Sequence, residues 1–212
     1  MKKFLFFLAY ALTPAIPAFI YLRSLGQGFS SYTLSVVLGI TAFTIICDQF
    51  ILAARPGFAV KAVGAKTLLA MHQIMPFVAL VLAGTHKLVK EANGYSDETF
   101  QASFGGIAWW TFAVILVGTV LFMATTILTK IKPFSDLKAF VQQKLGLSYK
   151  RLRVLHNITV AAALLITVHV ALASTSNFAA NPVGVIWMLG WMALSLGLYL
   201  AYRIRGRKFS AA

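Results

Sequence analysis

The chain has four histidines, and all of them fall in two apolar stretches as evenly spaced pairs: His72 and His86 with thirteen residues between, His156 and His169 with twelve. A neutral imidazole gives one ring nitrogen to a metal while a hydrogen bond holds the other, so two such rings can fill opposite positions of one ion. An ion whose other positions are already taken then keeps no open site and suits the passing of single electrons better than the binding of a small molecule. Taken singly, an intramembrane histidine is as readily an interhelical hydrogen-bond donor as a ligand. Four of them, two per segment and none elsewhere, point to ligation. The lone Cys47 leaves no thiol pair for redox work and no intrachain disulfide.

The elements that must position these rings are membrane helices. With 59% hydrophobic and 11% charged residues the chain is far from the roughly 25% charge of a soluble domain. Six apolar spans are expected, at about 3–22, 33–54, 67–89, 105–129, 154–175 and 182–203, each near the ~20 residues needed to cross a hydrocarbon core. They make one all-α, polytopic domain over residues 1–212 with no soluble domain beside it. Lys2 and Lys3 before a short apolar run, with Ala15 and Ala18 following, also resemble a signal peptide, but the run stays apolar through Leu22.

Loop charge sets the orientation. Assigning alternate loops to opposite sides gathers sixteen basic residues on one side, and only Arg23, Lys87 and Lys90 fall on the other. By the positive-inside rule both termini are cytoplasmic, in a multi-pass protein of the cytoplasmic membrane. The net charge of +14 therefore calls for anionic lipid, or an acidic cytosolic partner, and for no nucleic acid. Residues 130–153 carry seven basic side chains with Leu137, Phe140, Val141 and Leu145 at helical spacing, which predicts an amphipathic helix along the inner surface. Trp109, Trp110 and Trp187 are expected as anchors at the outer interface.

With this topology the third and fifth spans run parallel, from cytoplasm to exterior. His72 and His156 then form an inner level and His86 and His169 an outer one, separated along the two helices by ~21 Å and ~20 Å. Azimuth is less even. At 100° per residue the third span returns within ~40° of its starting face after fourteen steps, whereas thirteen steps leave the fifth ~140° away, so the fifth must be distorted. No proline or glycine lies between His156 and His169 to explain such a distortion.

Paired histidines at these spacings on the third and fifth of six helices, with the local text Tyr149-Lys150-Arg151-Leu152-Arg153-Val154-Leu155-His156-Asn157, resemble the ferric reductase-like transmembrane domain of NADPH oxidases and ferric reductases. The resemblance covers nearly the whole chain. It implies two haem b groups, held non-covalently by His72/His156 and His86/His169, and a transmembrane electron path that serves an oxidoreductase. No C-x-x-C-H is present for covalent attachment. Two departures stand out. No GxGxxG occurs and few residues follow the sixth span, so flavin is expected only through a partner protein, and residues 157–168 hold none of the aromatics some relatives place there. The expected donor is a cytosolic flavoprotein reductase or a membrane quinol, and the acceptor ferric iron, oxygen or an extracytoplasmic redox protein. The alternatives are the haem-binding membrane subunit of methionine sulfoxide reductase, also similar in size, and a non-redox proton-coupled transporter that titrates the histidines and Asp48. Asp48 reads more simply as a protonated, hydrogen-bonded group, and Arg55, Lys61 and Lys66 either neutralise haem propionates or snorkel to headgroups.

Overall fold

A computed structural model of the chain describes residues 1–25, 29–95, 98–123, 132–145, 149–173 and 179–205. Their regular secondary structure is all helix, with no strand among the described residues: α1 (Lys2–Leu25), α2 (Ser31–Ala54), α3 (Gly57–Val63), α4 (Ala65–Ala92), α5 (Phe100–Met123), α6 (Lys132–Leu145), α7 (Tyr149–His156), α8 (Ile158–Leu172) and α9 (Pro182–Ile204). Six helices are long and apolar enough to cross a membrane, the fifth of these running from Arg153 to Leu172 across the junction of α7 and α8. The expected fourth span, 105–129, begins earlier, at Phe100, and its residues 124–129 lie outside the described ones.

α2 is the buried centre. Its Val36, Ile40, Phe43, Cys47 and Phe50 pack with Tyr21 of α1, Ala163 and Val170 of α8, and Met188 and Met192 of α9. Ser30 starts this helix with its side-chain oxygen accepting from the Thr33 N–H, and Arg55 ends it in the left-handed conformation. Buried hydroxyls on it spend their protons locally, as Thr44 does in donating to the Ile40 carbonyl at 2.8 Å. α4 packs chiefly on α2, and α8 on α5. The two histidine-bearing helices thus belong to different helix pairs. Their outward faces carry exposed Val81, Leu88, Leu164 and Val168, as suits contact with hydrocarbon.

Two features differ from the sequence expectation, and a third falls partly outside the described residues. A short helix, α3, connects α2 to α4 and buries Ala59 and Val63 against Leu52 and Leu68. The basic stretch does form a helix, α6, but the side chains of Leu137, Val141 and Leu145 lie outside the described ones. Of the three tryptophans expected at an interface, only Trp110 is exposed, at 64%. Because α5 starts at Phe100, Trp109 falls well inside it, and its indole N–H donates to the Leu80 carbonyl of α4 at 3.1 Å. Trp187 has a buried indole nitrogen and stacks on Trp191, 6.1 Å between centroids. Trp109→Phe keeps the ring and loses the interhelical bond, so a loss of about 1 kcal/mol is expected, read as a lower melting temperature in detergent.

Candidate functional site

The structure brings the four histidines together as two pairs, and they are the pairs that depth predicts. His72 of α4 lies 6.1 Å, centroid to centroid, from His156 at the end of α7, the ring planes 79° apart. His86 of α4 lies 6.4 Å from His169 of α8, with planes at 85°. Each pair bridges α4 to the chain segment that was read as the fifth span.

How the fifth span reaches both levels is visible at its junction. α7 ends on His156, Asn157 forms a turn, and α8 starts at Ile158. Across this break the Asn157 N–H bonds to the Val154 carbonyl at 2.9 Å and the Val160 N–H to the Asn157 carbonyl at 3.0 Å, three residues back in both cases. Such tightened turns advance about 120° per residue in place of 100°, which moves thirteen steps toward the missing azimuth. The Thr159 hydroxyl donates to the His156 carbonyl at 2.7 Å, supplying a donor where the regular ladder is interrupted. Arg203 of α9 donates to the Asn157 side-chain oxygen at 2.8 Å and ties the junction to the last helix. The distortion needs neither proline nor glycine.

At the level where α2 begins and α4 ends, the outer level in the loop-charge reading, both rings are anchored alike. His86 Nδ1 lies 2.7 Å from the Ser35 carbonyl of α2, and His169 Nδ1 lies 2.8 Å from the Gln101 carbonyl of α5. A carbonyl only accepts, so both Nδ1 atoms carry the proton and both Nε2 atoms keep a lone pair. Each anchoring carbonyl has a glycine four residues later: Gly39 after Ser35 and Gly105 after Gln101. A helical side chain leans over the turn before it, so a residue at that position would cover the carbonyl. An added Cβ would stand 2.9 Å from His86 Nδ1 at Gly39 and 2.7 Å from His169 Nδ1 at Gly105. Leu80 and Gly84 repeat the arrangement beneath Trp109.

The other level is built differently. His156 Nδ1 is buried with no hydrogen-bond partner among the described residues. No carbonyl fixes its tautomer there.

The spacing of the rings can be tested against ligation. Two metal–imidazole bonds of about 2.0 Å, plus about 1.1 Å from each nitrogen to its ring centre, put the centroids about 6.2 Å apart when collinear. The observed separations lie on either side of this. Among the described residues no group of three or more His, Cys, Asp or Glu side chains converges. A metal suited to either pair is therefore one that brings its remaining ligands with it. Gly39, Gly105, Ser35 and Gln101 were not reached by sequence reasoning, although a glycine inside an apolar helix, costing about 1 kcal/mol against alanine, is itself a signal of close approach.

Asp48, 2% exposed, sits apart from both pairs and joins three helices. Its carboxyl meets the Thr13 hydroxyl of α1 at 2.7 Å and accepts the Trp191 indole N–H of α9 at 2.8 Å. Lys61 and Lys66 are exposed and Arg55 is half-buried. No protein-family model, curated protein or solved structure matches the chain, and its site is read from its own residues.

Proposed function

We propose that this protein is a bis-haem b electron conduit of the cytoplasmic membrane, carrying electrons from a cytoplasmic donor to an extracytoplasmic acceptor, as its resemblance to ferric reductase-like transmembrane domains implies. The observation that carries this reading is the two imidazole pairs, one above the other, each at a separation that accommodates one iron between two nitrogens. Two protein ligands per site, with no third nearby among the described residues, suit an iron whose other four ligands belong to a porphyrin. Haem b bound at each level would supply reversible one-electron chemistry at a six-coordinate iron.

The chain's own residues have distinct tasks in this scheme. His72 and His156 hold the inner group, and His86 and His169 the outer. The Ser35 and Gln101 carbonyls keep the Nδ1 protons of the outer rings in place, which fixes ring orientation and makes Nε2 the better donor to iron. Apolar helix faces keep water from the path. The basic loops on the side of both termini receive an acidic flavoprotein reductase, and a membrane quinol is the second source. Ferric iron, oxygen or an extracytoplasmic redox protein takes the electrons on the other side.

Purified from haem-replete cells, the protein is expected to show a reduced b-type spectrum and two haems per chain by pyridine haemochrome. A colourless preparation would overturn the proposal.

A further inference from the structure

One turn beyond His86, at the same end of the bundle, stands a group of donors that ligation does not use. Lys90 Nζ lies 4.7 Å from the centre of the Tyr32 ring and 4.3 Å from that of Tyr95, and these two rings stack 4.9 Å apart with planes at 23°. The ammonium is thus held by ring faces, a favourable contact that leaves its charge unneutralised. The acid nearest to it in sequence, Glu91, is taken by an ion pair with Lys87, and Lys90 makes no ion pair among the described residues. Tyr32 packs against the apolar cluster that includes a third phenol, Tyr21 of α1. Tyr21 is only 2% exposed, and its hydroxyl is buried with no hydrogen-bond partner among the described residues. A buried hydroxyl left without a partner is free to hydrogen-bond a ligand.

The scaffold under this group is fixed. Ser31 at the start of α2 donates to the Asn93 side-chain oxygen at 2.8 Å, and the Asn93 amide donates to the Val89 carbonyl at 2.7 Å. This holds the end of α4 against the start of α2.

The geometry points to a carboxylate-binding site built from Lys90 and the phenols of Tyr21, Tyr32 and Tyr95. The ammonium, together with the phenol protons that Tyr32 and Tyr95 do not share with each other, can donate to an oxyanion. With a single positive charge the site suits one carboxylate better than a dianion. Two sources share that chemistry: a propionate of the outer haem, an arm that rests on the function proposed above, and the carboxylate of a soluble extracytoplasmic ligand.

Lys90→Met is the test, with Lys90→Arg to restore the charge and thermal melting to certify the fold. Two readouts separate the sources: potentiometric titration of both haems in the purified protein, and ferric citrate titrated against tryptophan fluorescence. If a propionate is the ligand, Lys90→Met moves the outer haem midpoint to more negative values, leaves the inner one in place, and Lys90→Arg recovers most of the shift. If a soluble carboxylate is the ligand, citrate binding weakens at least tenfold in Lys90→Met while both midpoints stay. A folded Lys90→Met with unchanged midpoints and unchanged citrate binding overturns the site. Should the wild-type protein carry no haem, the bis-haem reading fails by itself. The citrate titration then decides the site alone: binding that depends on Lys90 upholds it, and its absence overturns it.

Discussion

On the bis-haem proposal, Gly105→Ala is expected to weaken the outer haem about 10–100-fold without altering a ligand, where His86→Leu or His169→Leu removes one. On that proposal the histidine replacements each remove an axial ligand and should lower the haem count from two per chain to one, leaving the His72/His156 spectrum in place. The glycine replacement acts through space. The new Cβ would stand 2.7 Å from His169 Nδ1 and 2.8 Å from its Cε1, closer than such atoms approach, so the ring has to shift. The imidazole must then leave the Gln101 carbonyl, which it now meets at 2.8 Å. Losing a partner that orients a ligating histidine typically costs about 10–100-fold in metal affinity. Gly39→Ala should act in the same way on His86, its Cβ falling 2.9 Å from Nδ1. The neighbouring Gly106 has nothing within 4 Å of an added Cβ, so Gly106→Ala is the matched control and should keep both haems. Pyridine haemochrome together with low-temperature difference spectra reads all of these. Full outer-haem retention in both Gly39→Ala and Gly105→Ala would show that the carbonyl anchors do not matter.

That glycine pair also marks where sequence reasoning stopped. The two histidine pairs, their pairing by level and the six helices were legible because each depends on one periodic quantity, the rise per residue for depth or hydropathy for the spans. The second layer depends on which helix packs on which. Nothing local in Ser35 or Gln101 says that its carbonyl will face an imidazole more than fifty positions away, since that follows from α2 packing on α4 and α5 on α8. The azimuth of the fifth span was legible as a conflict without a solution. Thirteen steps do not close on one face, and the tightened turn at Asn157, set by hydrogen bonds to Val154 and from Val160, supplies part of the missing rotation. Trp109 misled for a related reason. An end-of-helix position was inferred from a span that starts five residues too late, and the indole turned out to bond to α4.

Asp48→Asn is expected to fold and carry haem like the parent, whereas Asp48→Ala should be destabilised by about 1–3 kcal/mol. The Thr13 hydroxyl has one proton and two oxygen neighbours at 2.7 Å, the Tyr10 carbonyl and Asp48 Oδ2. The carbonyl can only accept, so a single hydroxyl proton does not serve both contacts fully. Placing a second proton on Asp48 resolves this: the acid donates to Thr13, Thr13 donates to Tyr10, and Asp48 Oδ1 still accepts from Trp191 at 2.8 Å. A neutral acid is also the less costly form inside a bilayer. Asparagine reproduces this pattern, with an amide N–H toward Thr13 and a carbonyl toward Trp191, while alanine strands the indole N–H and opens a gap among α1, α2 and α9. Thermal melts of the haem-loaded protein separate these outcomes. The same pair of variants weighs electron transfer against proton-coupled transport. A carboxyl that must release its proton in each cycle cannot be replaced by an amide, so loss of function in a stably folded Asp48→Asn would move the chemistry from the histidine pairs to this carboxyl. Asp48 is bonded to α1 and α9, whereas the histidines bridge α4 to α7 and α8, and that separation is why full retention is expected.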